Sequence, residues 1–178
     1  MVVFSEPVDL PELLGRVADR WSRHDRANGR AIGLHVDDSI GVLEIDPTKL
    51  EQILDALVDN ALRYALHSDV EIVARPSTLS GAAGPIEILV RDCGPGIAQE
   101  LMPTLFETFN DFEDVSASKY GGAGLGLPLS HKLCRLMGAS LAVKTGANAG
   151  ATLVVTIPNG RPESNHAEPP IGDLAEAA

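Results

Sequence analysis

The residues best suited to chemistry are an asparagine on an amphipathic helix, an aspartate opening a glycine turn, and a glycine run opening a second helix. The asparagine is Asn60, in Asp59-Asn60-Ala61. Its neutral amide oxygen suits a hard cation, and Mg²⁺ takes a few protein oxygens together with phosphates and water. Arg63, one turn on, carries the charge to meet a phosphate. The aspartate is Asp92, in Asp92-Cys93-Gly94-Pro95-Gly96. Its carboxylate can accept a hydrogen bond from an exocyclic amine such as that of adenine, while Gly94 and Gly96 permit positive φ and close approach of the backbone to a flat ligand. The glycine run has members at 121, 122, 124 and 126 and leads into the helical pattern Leu125, Leu129, Leu133, Leu136, Met137. Free N–H groups and the positive end of the helix dipole attract anions there. In this order the three segments describe a pocket for Mg-ATP. Each alone also fits a plainer reading: a solvated Asn-Arg flank, a strand-end turn, and a loop capping a core helix. The glycine spacing matches neither the P-loop nor the dinucleotide fingerprint, which disfavours a P-loop enzyme and a Rossmann dehydrogenase.

The elements that position these residues follow from periodicity. From Asp46 to Ala65, Leu50, Ile53, Leu54, Leu57, Ala61 and Ala65 recur at helical spacing, and Asp46-Pro47 is a start signal. Ala56, Asn60 and Arg63 then stack along one flank beside the apolar stripe. Asp9 with Glu12 resembles a capping box, and Leu10, Leu13, Leu14, Val17, Ala18 and Trp21 form a core helix closed by Gly29. Pro128 sets the start of the last helix near Gly124. Strands are expected at 31–36, 42–45, 70–74, 86–90, 141–144 and 152–157. The expected fold is α+β: a mixed sheet packed on helices in two layers.

Taken jointly, these residues resemble the catalytic, ATP-binding domain of two-component sensor histidine kinases, within the gyrase, heat-shock chaperone, histidine kinase and mismatch-repair ATPase superfamily. Leu50 to Ala65 looks like the N box, Asp92 to Gly96 the first glycine box, Leu105 to Phe109 the phenylalanine box, and Lys119 to Leu127 the second glycine box. The resemblance runs from about Pro7 to Pro158. It implies a Bergerat-type two-layer α/β sandwich with a mobile lid at about 102–121, anchored by Phe106, Phe109 and Phe112. It also implies Asn60 as Mg²⁺ ligand, Arg63 and Tyr64 beside the phosphates or ribose, and Asp92 on the adenine amine. Gly94 and Gly96, with Ile97, would shape the adenine pocket. Lys119, Tyr120, Gly122, Gly124, Leu125, Gly126 and Leu127 would form the hinge and phosphate-facing end of the lid, with Thr152 supporting the adenine end through its hydroxyl.

One departure matters chemically. Hydrolysing members of the superfamily carry a Glu four residues before the N-box Asn as general base, and histidine kinases often a second Asn; here the residue is Ala56. Asp55 and Asp59 point to other faces of the helix. Negligible ATP hydrolysis is expected. None of His24, His35, His67, His131 and His166 has the His-acid-x-x-x-Pro setting of the family's phosphorylated helix, so the accepting histidine is expected on a separate dimerisation domain, with a response-regulator aspartate downstream. A stand-alone serine kinase of the anti-sigma type and a nucleotide-binding regulatory pseudokinase are the alternatives.

With 178 residues and 44% hydrophobic content the chain can bury one sizeable core. A net charge of -11 argues against a general nucleic-acid or anionic-membrane binder. Cys93 and Cys134 are too few for a zinc framework, and no run of about eighteen apolar residues appears. A cytoplasmic, monomeric catalytic domain over 1–158 is expected, compatible with a membrane anchor elsewhere in a parent protein, with 159–178 a disordered tail.

Overall fold

The computed structural model describes residues 2–65, 68–77, 84–101, 104–106, 126–145 and 150–158. In chain order these form β1 (Glu6–Asp9), α1 (Leu10–Ser22), β2 (Ile32–Val36), β3 (Val42–Ile45), α2 (Pro47–Tyr64), β4 (Val70–Pro76), β5 (Ile86–Asp92), α3 (Gly126–Leu136), β6 (Ser140–Thr145) and β7 (Ala151–Ile157). A five-stranded sheet has the order β2-β4-β5-β7-β6, parallel between β2 and β4 and antiparallel elsewhere. β1 and β3 make a separate antiparallel ribbon. The result is the expected α+β arrangement of a mixed sheet packed on helices.

Alternation along the strands decides which face is covered. Ile72 pairs with Val90 and Ala74 with Ile88, while Ile88 in turn pairs with Val155 and Val90 with Leu153. All of these belong to the buried core, together with Leu50, Ile53, Leu54 and Leu57 of α2 and Leu10, Leu13, Leu14 and Val17 of α1. Successive strand residues point to opposite faces, so Glu71, Arg91 and Thr152 form a row on the other side of the sheet. Trp21 is buried, and its indole N–H donates to Asp55 at 2.7 Å.

Three local details differ from the sequence reading. α1 ends at Ser22; a 3-10 turn over Asp25–Ala27 follows, and the left-handed Asn28 and Gly29 close that turn rather than the helix. β5 runs on through Asp92, so the aspartate is the last strand residue. β1 has only four residues, two of them acidic, and no local pattern marks its pairing with β3.

α2 carries Asn60, and both its ends are tied down. At the start, the Asp46 carboxylate accepts from the Lys49 N–H at 3.1 Å, the Lys49 ammonium at 2.5 Å and the Phe4 N–H at 2.9 Å. At the other end, the Arg30 guanidinium donates to the carbonyls of Leu62 at 2.9 Å and Ala65 at 2.5 Å, the exposed oxygens every helix terminus leaves behind. Arg30 also donates to the Ala27 and Arg26 carbonyls, which joins the turn after α1 to the end of α2.

Burial alone would raise the Asp46 carboxyl, but the Lys49 ammonium and the two backbone N–H groups outweigh it and hold the group down at about 2. A carboxyl whose folded pKa is depressed stabilises the fold above its unfolded value, and that contribution is lost as pH falls toward the folded one. Urea unfolding of wild type and Asp46→Asn should therefore differ in acid: between about pH 5 and pH 2 the wild type loses roughly 2 kcal/mol more than the variant. At pH 7 the variant, which leaves the buried Lys49 without its counter-charge, should be less stable by about 3 kcal/mol.

Candidate functional site

The site is assembled from the far half of α2, the turn after β5, the start of α3 and the start of β7. Ala56, Asn60 and Arg63 lie on one flank of α2, as their spacing requires. Ala56 and Asn60 are half-buried. The first residue of α3 meets this flank: a Cβ added to Gly126 would stand 3.6 Å from that of Ala56. Leu127 packs against the core from the same turn. The N-terminal end of α3 therefore abuts α2 one turn before Asn60, where an anion held by that end would also meet the asparagine.

Asp92 is 9% exposed, and one of its carboxylate oxygens is already occupied. Oδ1 accepts from the Gly94 N–H at 2.8 Å and the Ala151 N–H at 3.3 Å. Two backbone donors to one oxygen fix the carboxylate plane, and Oδ2 is the oxygen that would accept from a ligand amine. The floor beneath this turn is tight. A Cβ at Gly94 would come within 2.9 Å of Asp92 Oδ1 and 3.0 Å of the Ala65 Cβ, so only glycine lets the turn lie on the end of α2. Gly96 has φ 78°, as a glycine turn allows.

A further residue belongs here that the sequence reading passed over. Gly150, with φ 72°, precedes β7 and sits directly against the Asp92 backbone: a Cβ there would overlap the Asp92 carbonyl oxygen and come within 2.8 Å of the Cys93 Cα. Gly150 thus allows β7 to begin close enough for Ala151 to reach Oδ1. Its only sequence signal is its place just ahead of a strand. The Thr152 side chain, by contrast, is not brought to Asp92. Thr152 pairs with Arg91 and shares its sheet face, opposite to that of Asp92, and the backbone of Ala151 makes the contact instead.

Of the other expected residues, Tyr64 is exposed at the end of α2 and Ile97 is half-buried after the glycine turn. Phe106 packs against the core and stacks on His131, with ring centroids 5.0 Å apart and planes 18° from parallel. Lys119, Tyr120, Gly122, Gly124 and Leu125, with Phe109, Phe112 and the rest of the expected lid beyond 104–106, lie outside the described residues, as does 159–178.

Both acids near Ala56 are committed elsewhere. Asp55 accepts from Arg20 at 2.6 Å as well as from Trp21, and Asp59 is paired with Arg26 at 2.7 Å and Arg63 at 3.0 Å. Neither is held as a base toward the flank. Among the described residues no group of three or more His, Cys, Asp or Glu side chains could hold a metal ion. A cation at Asn60 would draw most of its ligands from phosphate and water, which is the habit of Mg²⁺. A groove of about 520 Å³ lies at the opposite end of α2, lined by Glu6, Asp9, Glu12, Arg16, Glu51 and neighbours. Arg16 bridges Glu12 and Glu51 there, and the Asp9 carboxylate caps α1.

Residues 45–161, more than half of the chain, match the family described as histidine kinase-, DNA gyrase B-, and HSP90-like ATPase. The signal transduction histidine-protein kinase BarA of Escherichia coli (strain K12) is 29% identical over 157 residues, covering 85% of this chain and 17% of BarA. The histidine protein kinase SaeS of Staphylococcus epidermidis is 28% identical over 153 residues, covering 85% of this chain and 43% of SaeS. The chain therefore spans less than half the length of these relatives. Full-length ShkA, solved in complex with AMPPNP, superposes with a TM-score of 0.73 at 28% identity, over 89% of this chain and 32% of that one. The catalytic domain of histidine kinase ThkA superposes with a TM-score of 0.72 at 23% identity, over 88% of this chain and 96% of that one, a likeness of fold. By sequence match and by fold, this chain belongs to the histidine kinase-, DNA gyrase B- and HSP90-like ATPases.

Proposed function

We propose that this chain binds Mg-ATP and donates its γ-phosphate to a histidine on a separate dimerisation domain of a parent sensor kinase, for relay to a response-regulator aspartate. The observation that carries the reading is the Asp92 carboxylate, locked by two backbone N–H groups with one oxygen left to read the adenine amine. Gly94 and Gly96 would then admit the base, with Ile97 and the exposed ring of Tyr64 at the edge of the site. Arg63, Lys119 and the start of α3, with the Gly122-to-Leu127 segment, would meet the phosphates. Asn60 would ligate Mg²⁺, which when bound supplies charge neutralisation between the phosphate oxygens.

In the transfer, the accepting imidazole nitrogen forms a bond to the γ-phosphorus as the bond to the β,γ-bridging oxygen breaks, and ADP leaves with that electron pair. The contribution of this chain is position and charge rather than a covalent or general-base step. Ala56 fits that division, because a phosphotransferase toward histidine needs no activated water. Slow hydrolysis follows from the same residue.

A second reading is a nucleotide-binding regulatory pseudokinase acting through protein partners, and Ala56 is what favours it. Mixing the chain with a histidine-bearing dimerisation domain and γ-labelled ATP separates the two: acid-labile label on the histidine supports the kinase, and bound nucleotide without transfer supports the pseudokinase. Label on a partner's serine would instead indicate the anti-sigma type. Among the described residues no helix is long and apolar enough to cross a membrane; we place the domain in the cytoplasm, without nucleic-acid or membrane contact of its own.

Calorimetric titration of Mg-ATP should give micromolar binding to the wild type. Asp92→Asn should weaken it about 10- to 100-fold, the effect of losing a charged hydrogen-bond acceptor. Gly150→Ala should weaken Mg-ATP at least as much, because the added methyl has to displace the Asp92 backbone. Circular dichroism is expected to show both variants folded.

A further inference from the structure

Asp59 precedes Asn60, and its carboxylate is shared between two cations. Oδ1 takes Arg26 at 2.7 Å, from the turn after α1, and Oδ2 takes one terminal nitrogen of Arg63 at 3.0 Å. By helical spacing Arg63 lies between Asn60 and Asp59 around α2, so it is placed between the cation-binding flank and an anchored acid. The contact to Asp59 engages a single guanidinium nitrogen, and it orients a long side chain whose rotamer freedom is otherwise large. Arg26 is itself fixed: its backbone N–H donates to His24 Nδ1 at 3.1 Å and its carbonyl accepts from Arg30 at 2.8 Å. All three side chains are partly exposed, so the pairs add little to stability, and their shared geometry calls for another reason.

We propose that Asp59, held by Arg26, is a positioning residue that aims the Arg63 guanidinium at the phosphates of the bound nucleotide. The proposal rests on the nucleotide reading above and deepens it. Arg26 offsets part of the Asp59 charge, so the acid orients Arg63 without competing strongly with phosphate for it. The turn after α1 thereby becomes part of the phosphate site without touching the ligand.

Calorimetry with two probes, Mg-ATP and adenosine, tests this on Asp59→Asn, Arg63→Gln, the double variant, Arg26→Gln and Asp59→Glu. Asp59→Asn is expected to weaken Mg-ATP about fivefold while adenosine changes by less than about twofold. In the Arg63→Gln background the same substitution should have no further effect, since Asp59 acts through Arg63. Asp59→Glu, which keeps a carboxylate four residues before the arginine, should restore most of the Mg-ATP affinity. Arg26→Gln, at an exposed position, should shift Mg-ATP in the same direction as Asp59→Asn and carries the test if that variant does not fold. Equal loss for both probes, unchanged or tighter Mg-ATP binding by Asp59→Asn, or losses that add in the double variant would overturn the proposal and leave the nucleotide site standing. A folded wild type that binds neither probe would overturn the nucleotide reading and this proposal together.

Discussion

The site depends on α2 being fixed at both ends. Asp46 closes the start of the helix with a buried charge network that also holds the Phe4 backbone, and Arg30 closes its end on the carbonyls of Leu62 and Ala65. Between these ends the apolar stripe of α2 is buried in the core it shares with β5, which sets where Asn60 stands with respect to that strand. Ala65, at the Arg30-capped end, is also the surface on which the Gly94 turn rests. The helix that carries Asn60 thus supports the turn that follows Asp92.

The second closure joins two strands. Gly150 lets the chain enter β7 against the Asp92 backbone, and from there the Ala151 N–H reaches the carboxylate. The fixed orientation of the Asp92 carboxylate follows from this arrangement. A carboxylate that rotated freely would accept a hydrogen bond from any donor, whereas one with an oxygen committed to two N–H groups presents its other oxygen in a defined direction. The same economy governs α2, where Asp55 and Asp59 orient arginines and an indole rather than activating water. With Ala56 on the flank and both acids paired, no carboxylate among the described residues of α2 is held there as a base.

What the sequence made legible was local. The 3.6-residue stripes of α1 and α2, the Asp46-Pro47 start and the alternating strands all carry their signal within one element, and the expected strand boundaries are reproduced to within two residues. What stayed hidden depends on register or on partners distant in the chain. Nothing near Thr152 shows that it stands opposite Arg91, on the face away from Asp92. Gly150 resembles any loop glycine until β5 and β7 are paired. The role of Arg30 requires the end of α2 to be beside the turn that follows α1, 35 residues earlier. β1 is too short and too acidic to announce itself, and only β3 makes it a strand.

The most direct test of the nucleotide site is a crystal structure of this chain grown with Mg²⁺ and a non-hydrolysable ATP analogue. The expected result has the adenine amine on Asp92 Oδ2, with Oδ1 still held by Gly94 and Ala151, and the cation on the Asn60 amide oxygen beside the start of α3. A nucleotide bound away from Asp92, or an Asp92 carboxylate turned out of its two backbone hydrogen bonds to meet it, would contradict the site described.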